Sequence, residues 1–445
     1  MTPALPARPP FALRATVLTP LDGGGSRYLQ DGVVEVDARG RVAAVRDAVG
    51  SEPEAIDLLP HVLLPGMVDL HAHLPQLPNA GLGAGLDLLT WLGRYIFPIE
   101  QRFDTEAAAD RLAPAAFRAF AAAGTTTVLA YVAVYKASTD GAFRAAEAHG
   151  IRAILGKVMM DRITYDERID RSTILERSVR ESEELIARWH GADEGRLGYA
   201  VTPRFAVSCT AELLRESAAL AARTGAWWQT HVSEDPGEIE EVGRLFPEAS
   251  DYVDVYERAG GLGARTILAH AVHLSDRELA RLVETDTRVA HCPSSNLFLA
   301  SGIMPLARNL EAGLKVGLGS DVAGGPDASM FSVMRTGAYA QAALRTVAGE
   351  SRPVLDPIDW LRLGTLDGAR ALGLHGEIGS LEPGKQADLI AVDPRLTAAR
   401  RDLSYDPGMV ESQEVMSRLI FRAHPDMVRG AWVRGRRLDG PLTPA

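Results

Sequence analysis

A chain of 445 residues with 46% hydrophobic side chains carries enough apolar mass for a large core, and an α/β barrel takes up more than half of such a length as one domain. A formal net charge of −11 argues against a polyanionic partner such as DNA or RNA. With only Cys209 and Cys292 present, a disulfide framework and a Cys-rich zinc site are both excluded, so any metal must be held by His and carboxylates.

The N-terminal stretch MTPALPARPPFALRATVL has prolines where a secretory leader needs an unbroken apolar run. No apolar run is long enough to span a bilayer. The expectation is a cytoplasmic protein with no membrane partner. Alternating runs such as GVVEVDARGRVAAV (32–45) read as strands with turns between them. ADLIAVDP (387–394) and MVRGAWVRGRRL (427–438) read the same way at the other end. The two ends are expected to join into one small β-sandwich domain, spanning 1–66 and 377–445.

The middle, 67–376, alternates differently. Apolar runs at 62–70, 125–133, 152–160, 197–203, 226–232, 266–271, 288–292 and 315–320 are separated by stretches with helical spacing at 106–123, 174–190, 210–224, 275–285 and 328–346. Eight strands alternating with helices predict a (β/α)8 TIM-like barrel. Their Val/Leu/Ala-rich character suits parallel strands buried on both faces. In such a barrel, chemistry sits at the C-terminal strand ends.

The unusual residues fall at those ends. The first strand closes on Asp69-Leu70-His71-Ala72-His73, and residues two apart on a strand share a side. The pair alone is weak evidence. The fifth strand closes on His231-Val232-Ser233-Glu234, the sixth on His270 and the eighth on Ser320-Asp321. Imidazoles with one carboxylate and no thiolate suit a catalytic Zn2+, or Fe2+, with a position open for water.

These segments resemble the one-metal branch of the amidohydrolase superfamily, and within it the guanine deaminases. The resemblance rests on PGMVDLHAHLPQLPNAGLG (65–83), DLLTWLGRYIFPIEQRF (87–103), VTPRFAVSC (201–209), THVSEDPGEIEEV (230–242), HCPSSNLFLASG (291–302) and GLGSDVAGG (317–325). It runs from about residue 60 to 440. It implies that His71, His73, His231 and Asp321 bind zinc, that Glu234 shuttles protons, and that His270 and Asp321 sit beside the attacking water. It also implies that Gln76, Arg204 and Phe205, with His231, Glu234 and Asp321, hold a purine. A homodimer is expected on the same ground. The implied reaction converts guanine to xanthine and ammonia. An 8-oxoguanine, pterin or s-triazine hydrolase is the alternative, and a non-catalytic scaffold is a remote one.

The residue types fit that chemistry. Zinc brings the pKa of a bound water from about 15.7 to near 7, and a glutamate that is not a ligand moves the protons in unrelated zinc deaminases. Arg204 offers a planar fork of donors to a carbonyl or ring nitrogen, and Gln76 both donates and accepts. Phe205 suits a ring face. Outside the motif, Arg204 reads as a capping or ion-pairing residue, Phe205 as core and Gln76 as solvent-facing. Trp91, Trp227 and Trp228 read as packing residues, His291 as a loop organiser, His273 as lying beyond its strand, and Cys292 as buried and inert. A two-metal site would need a lysine at the fourth strand end. That position reads Thr202-Pro203-Arg204, and Lys157 lies inside the third strand.

Overall fold

The strands sort into two sheets because two kinds of strand are built into the chain. The computed structural model describes residues 4–349, 351–398 and 411–441. From the N-terminal end come β1 (Phe11–Pro20), β2 (Ser26–Val36), β3 (Val42–Asp47) and β4 (Ala55–Pro65). The barrel strands follow: β5 (Met67–His73), β6 (Thr125–Tyr131), β7 (Arg152–Gly156), the short β8 (Val158–Met159), β9 (Leu197–Pro203), β10 (Trp227–Val232), β11 (Thr266–His270), β12 (Arg288–His291) and β13 (Lys315–Leu318). The C-terminal end supplies β14 (Leu389–Val392), β15 (Val428–Val433) and β16 (Arg436–Arg437).

Strands of both ends join into a seven-stranded sheet of order β16-β15-β14-β4-β1-β2-β3. It folds back on itself where Arg41 bridges Gln386 antiparallel. Leu13, Val17, Val34, Leu63, Leu389 and Trp432 form the core enclosed there.

The second sheet is parallel, with β5 to β13 in order and β8 paired on β9. Its last gap is bridged just past β13, where the Asp321 N–H donates to the His71 carbonyl (2.7 Å) and the His73 N–H donates to the Val322 carbonyl (3.0 Å). The barrel is therefore sewn shut by the segment that carries Asp321. Leu129, Ile154, Ala200, Ile267 and Ala290 belong to one core cluster, the layered side-chain filling of a barrel interior. Helices Glu106–Ala122, Ile174–Trp189, Ala211–Thr224, Asp276–Glu284 and Met330–Val347 match the helical stretches read from the sequence to within two residues. Thr105, Thr210 and Ser275 start three of them, each side chain accepting a first-turn N–H.

Two strand readings need correction. The run 62–70 is two strands: Val62–Pro65 belongs to β4 and pairs with β14, and only from Met67 does the chain enter the barrel. Gly66 makes the break, its N–H donating to the Asp388 carbonyl at 2.9 Å, and a Cβ there would collide with Thr126. The run 152–160 is interrupted at Lys157, which is buried with its ammonium 3.3 Å from Glu181 of the helix Ile174–Trp189. No described helix is long and apolar enough to cross a membrane.

Candidate active site and metal centre

Four ligand-type groups converge at the barrel mouth. The Nε2 atoms of His71 and His73 lie 3.2 Å apart, and those of His73 and His231 lie 3.3 Å apart. Asp321 Oδ1 is 3.2 Å from Nε2 of both His71 and His73. His71, His73 and Asp321 are buried, and His231 is partly buried. Bonds of about 2.0–2.1 Å to a tetrahedral ion put neighbouring donors about 3.3–3.4 Å apart, so these separations fit one four-coordinate divalent ion. Burial lowers the pKa of His71 and His231, holding both imidazoles in the neutral, metal-binding form.

Local structure explains why these side chains meet. Along β10, Gln229 and His231 lie on the inner side, Gln229 donating to Thr202 Oγ1 on the neighbouring strand β9 at 2.9 Å. The His231 Nδ1 hydrogen donates to the Arg204 carbonyl (2.6 Å), which aims Nε2 at the cluster. Asp69 fixes the far side: its carboxylate accepts from the Ser320 N–H (2.9 Å) and hydroxyl (2.5 Å), anchoring the turn that delivers Asp321. Burial pushes the Asp69 carboxyl up to about 7.

Strand alternation alone does not place His270. Ile267 belongs to the barrel-interior cluster, so simple parity puts Ala269 inward and His270 outward. A left-handed φ of 73° at His270 turns it in, and Ser233 (47°) and Asp321 (48°) leave their strands the same way. Such φ values are costly for residues with a Cβ and concentrate at functional sites. His270 Nε2 stands 3.3 Å from Glu234 Oε2 and 3.9 Å from Asp321 Oδ2. Its Nδ1 meets Asn296 Oδ1 at 2.9 Å, so the amide oxygen sets the tautomer. Asn296→Leu is expected to lower kcat about 10- to 100-fold with the metal retained; steady-state kinetics beside metal analysis check this, and an unchanged kcat removes Asn296 from the site.

Glu234 is held by the helix that follows it. Asp235 caps Pro236–Leu245, and Glu238 completes a capping box. The Glu238 carboxylate also accepts the Glu234 N–H at 3.0 Å. Glu234 Oε1 is buried and has no hydrogen-bond partner among the described residues. Burial, followed by the nearby Asp321 charge, raises its carboxyl well above the ordinary glutamate value.

The remaining residues singled out in the sequence line one cavity with this cluster: Gln76, Arg204 and Phe205 beside His73, His231, Glu234 and Asp321. Gln76 is buried rather than solvent-facing, because the loop Leu74–Asn79 folds in over the barrel mouth. Trp91, read as a packing residue, also lines the cavity with Leu88 and Leu92. Arg204 forms a buried ion pair with Glu100 (Nη1 to Oε2, 2.5 Å), while Gln76 Nε2 donates to Glu100 Oε1 at 2.6 Å. Glu100, Asn296 and Asp69 are structural partners of the site that the motifs do not single out. His273 bonds the Ser301 carbonyl, and His291 and Cys292 are buried.

The amidohydrolase family model matches residues 62–438. This chain belongs to the amidohydrolase family. Within it, the chain is 39% identical over 428 residues to a probable guanine deaminase of Deinococcus radiodurans, covering 96% of this chain and 94% of that one. Among solved structures it is similar to guanine deaminase from Bradyrhizobium japonicum, with a TM-score of 0.89 and 30% identity over 98% of this chain and 99% of the other. Guanine deaminase from C. acetobutylicum, solved with guanine bound in the active site, superimposes with a TM-score of 0.87 at 27% identity, covering 96% and 99% of the two chains. As an amidohydrolase the chain is an enzyme that carries its His/Asp cluster where the barrel fold puts catalysis.

Proposed function

We propose that this amidohydrolase hydrolyses guanine to xanthine and ammonia, with zinc held by His71, His73, His231 and Asp321. The observation that carries this reading is Glu234. A buried carboxyl group with one oxygen unpartnered faces the same cavity as four donors spaced for a tetrahedral ion. The deaminases that the chain resembles over nearly its whole length, one of them with guanine bound, support the substrate. The donor set of three imidazoles and a carboxylate suits zinc, and ferrous iron is the other candidate.

A divalent ion in that cluster supplies the Lewis acidity that makes water a competent nucleophile near neutral pH. Asp321 and His270 orient the attacking water beside the Glu234 carboxyl. Glu234 takes a proton from that water and gives it to the ring nitrogen beside the attacked carbon; it then takes the second proton from the hydroxyl now on that carbon and delivers it to the amine as the C–N bond breaks. Water enters, ammonia leaves, and the new carbonyl completes xanthine. Arg204 and Gln76 bind the opposite edge of the ring, and Phe205 with Trp91 covers its faces.

The working unit in this reading is 67–376, with 1–66 and 377–445 as the small β domain, and the enzyme acts as a cytoplasmic homodimer. Two free, buried cysteines suit a reducing compartment. Ammonia release from guanine, 8-oxoguanine, adenine, cytosine and pterins tests the substrate. Turnover of guanine above all others is expected, and an inert guanine beside a well-used alternative sinks the assignment. Arg204→Lys is expected to raise KM for guanine about tenfold or more while metal content stays put, because a planar fork becomes a point charge. Unchanged kinetics would take Arg204 out of the pocket.

A further inference from the structure

Glu100 lies at the end of the short helix Phe97–Glu100, fully buried, with no route to solvent for its charge. Its two oxygens are both used. Oε2 accepts from Arg204 Nη1 at 2.5 Å, and Oε1 accepts from Gln76 Nε2 at 2.6 Å. The Arg204 guanidinium also lies 5.3 Å from the centre of the Phe97 ring, which braces the pair from the side. Gln76 and Arg204 both line the cavity that Glu234 faces.

An ionised carboxylate accepts and never donates. Beside a permanently charged guanidinium, Glu100 must therefore receive the –NH2 end of Gln76, and the amide oxygen has to face away from it. That oxygen, Gln76 Oε1, is buried and without a hydrogen-bond partner among the described residues. The pocket thus presents an unmet acceptor next to the N–H groups of Arg204 that Glu100 does not use. A ring edge that satisfies both must carry an N–H donor beside a carbonyl acceptor, the arrangement of a lactam. An edge carrying an amine beside a bare ring nitrogen would set donor against donor and acceptor against acceptor.

We infer that Glu100 is a positioning residue that fixes the hydrogen-bond polarity of the pocket, making it selective for a lactam edge by locking the Gln76 amide and Arg204. This rests on the guanine reading above and adds the source of its selectivity. It also separates guanine from bases that share the same leaving amine.

The test compares guanine with 2,6-diaminopurine, which carries the same amine at the reacting carbon and an edge of reversed polarity in place of the lactam. Wild-type protein should favour guanine in kcat/KM by about 10^3-fold or more, as a site built around specific hydrogen bonds does. Glu100→Gln lets the side chain at this position donate, frees the Gln76 amide to turn over, and should shrink that ratio about tenfold or more. The loss for guanine should fall on KM more than on kcat, with metal content held. The exchanged pair Gln76→Glu/Glu100→Gln returns an acceptor-only group to the pocket edge and one carboxylate to the cluster, so it should restore the ratio even if the single variant folds poorly. A ratio unchanged in Glu100→Gln, or not restored in the exchanged pair, overturns the role given to Glu100 while guanine turnover by the wild type stands. A wild type inert toward guanine overturns both readings at once.

Discussion

Glu234→Gln is expected to keep its metal and lose about 10^2- to 10^4-fold in kcat, the usual contribution of a positioned acid–base group. The substitution is nearly isosteric, and the backbone of residue 234 is held by Glu238 whatever side chain it carries. What disappears is a group that first accepts and then donates a proton. Metal analysis beside single-turnover kinetics separates the outcomes: loss of the ion in this variant would make Glu234 a ligand and its assignment as shuttle wrong. The pH profile adds a signed expectation. Glu234 has to be ionised to take a proton from water, and burial raises its pKa. A cation in the adjoining cluster offsets the Asp321 repulsion, but the desolvation that leads the shift stays. The acid limb of kcat/KM should therefore lie above the ordinary glutamate range, activity rising with pH through it, and Glu234→Gln should flatten that limb.

Removal of the metal is expected to lower turnover by about 10^3-fold or more, since the acidity of the attacking water depends on it. Chelator treatment followed by stoichiometric zinc should restore the rate. Binding of an ion to the native state alone also stabilises it, by about 4 kcal/mol at a thousandfold excess over Kd, so the apo protein should melt several degrees lower. The four proposed donors sit on the ends of two strands and on the segment that closes the barrel, so an ion held by them would tie β5, β10 and the 320–322 closure together. Asp321→Asn should reproduce the effect by weakening the site through its only anionic member. Full activity with less than about a tenth of an ion per chain would contradict the metal-dependent route.

Much of this site is legible in the order of residues along the chain. Eight apolar runs with helices between them announce a barrel, and the barrel rule sends attention to strand ends, where His71, His73, His231, His270 and Asp321 stand. Glu234 is reached through the resemblance carried by THVSEDPGEIEEV (230–242), which implies its role as proton shuttle. What escapes the sequence does so for physical reasons. Glu100 is hidden because the buried positions Leu88, Leu92, Ile96 and Glu100 recur every four residues rather than every 3.6, a spacing that stays on one face only because a π-helical turn, Leu92–Ile96, widens the helix. Asn296 and Asp69 meet the groups they orient only through neighbouring strand ends that lie 26 and 251 residues apart along the chain, a distance over which periodicity says nothing. The split at Gly66 is invisible because a strand leaving one sheet and a strand entering another are equally apolar.

By itself, the sequence determined the kind of site: ligand types without thiolates at the strand ends of a parallel barrel, set by local spacing and side-chain type, with the shuttle role of Glu234 implied by the family resemblance. Only the tertiary structure decided orientation. His270 faces inward through a left-handed φ, the barrel closes through the residue that carries the proposed metal-binding carboxylate, and Glu100 receives the –NH2 end of the Gln76 amide. Each of these depends on atoms brought together from distant parts of the chain, and hydrogen-bond direction is a property of that assembly rather than of any one segment.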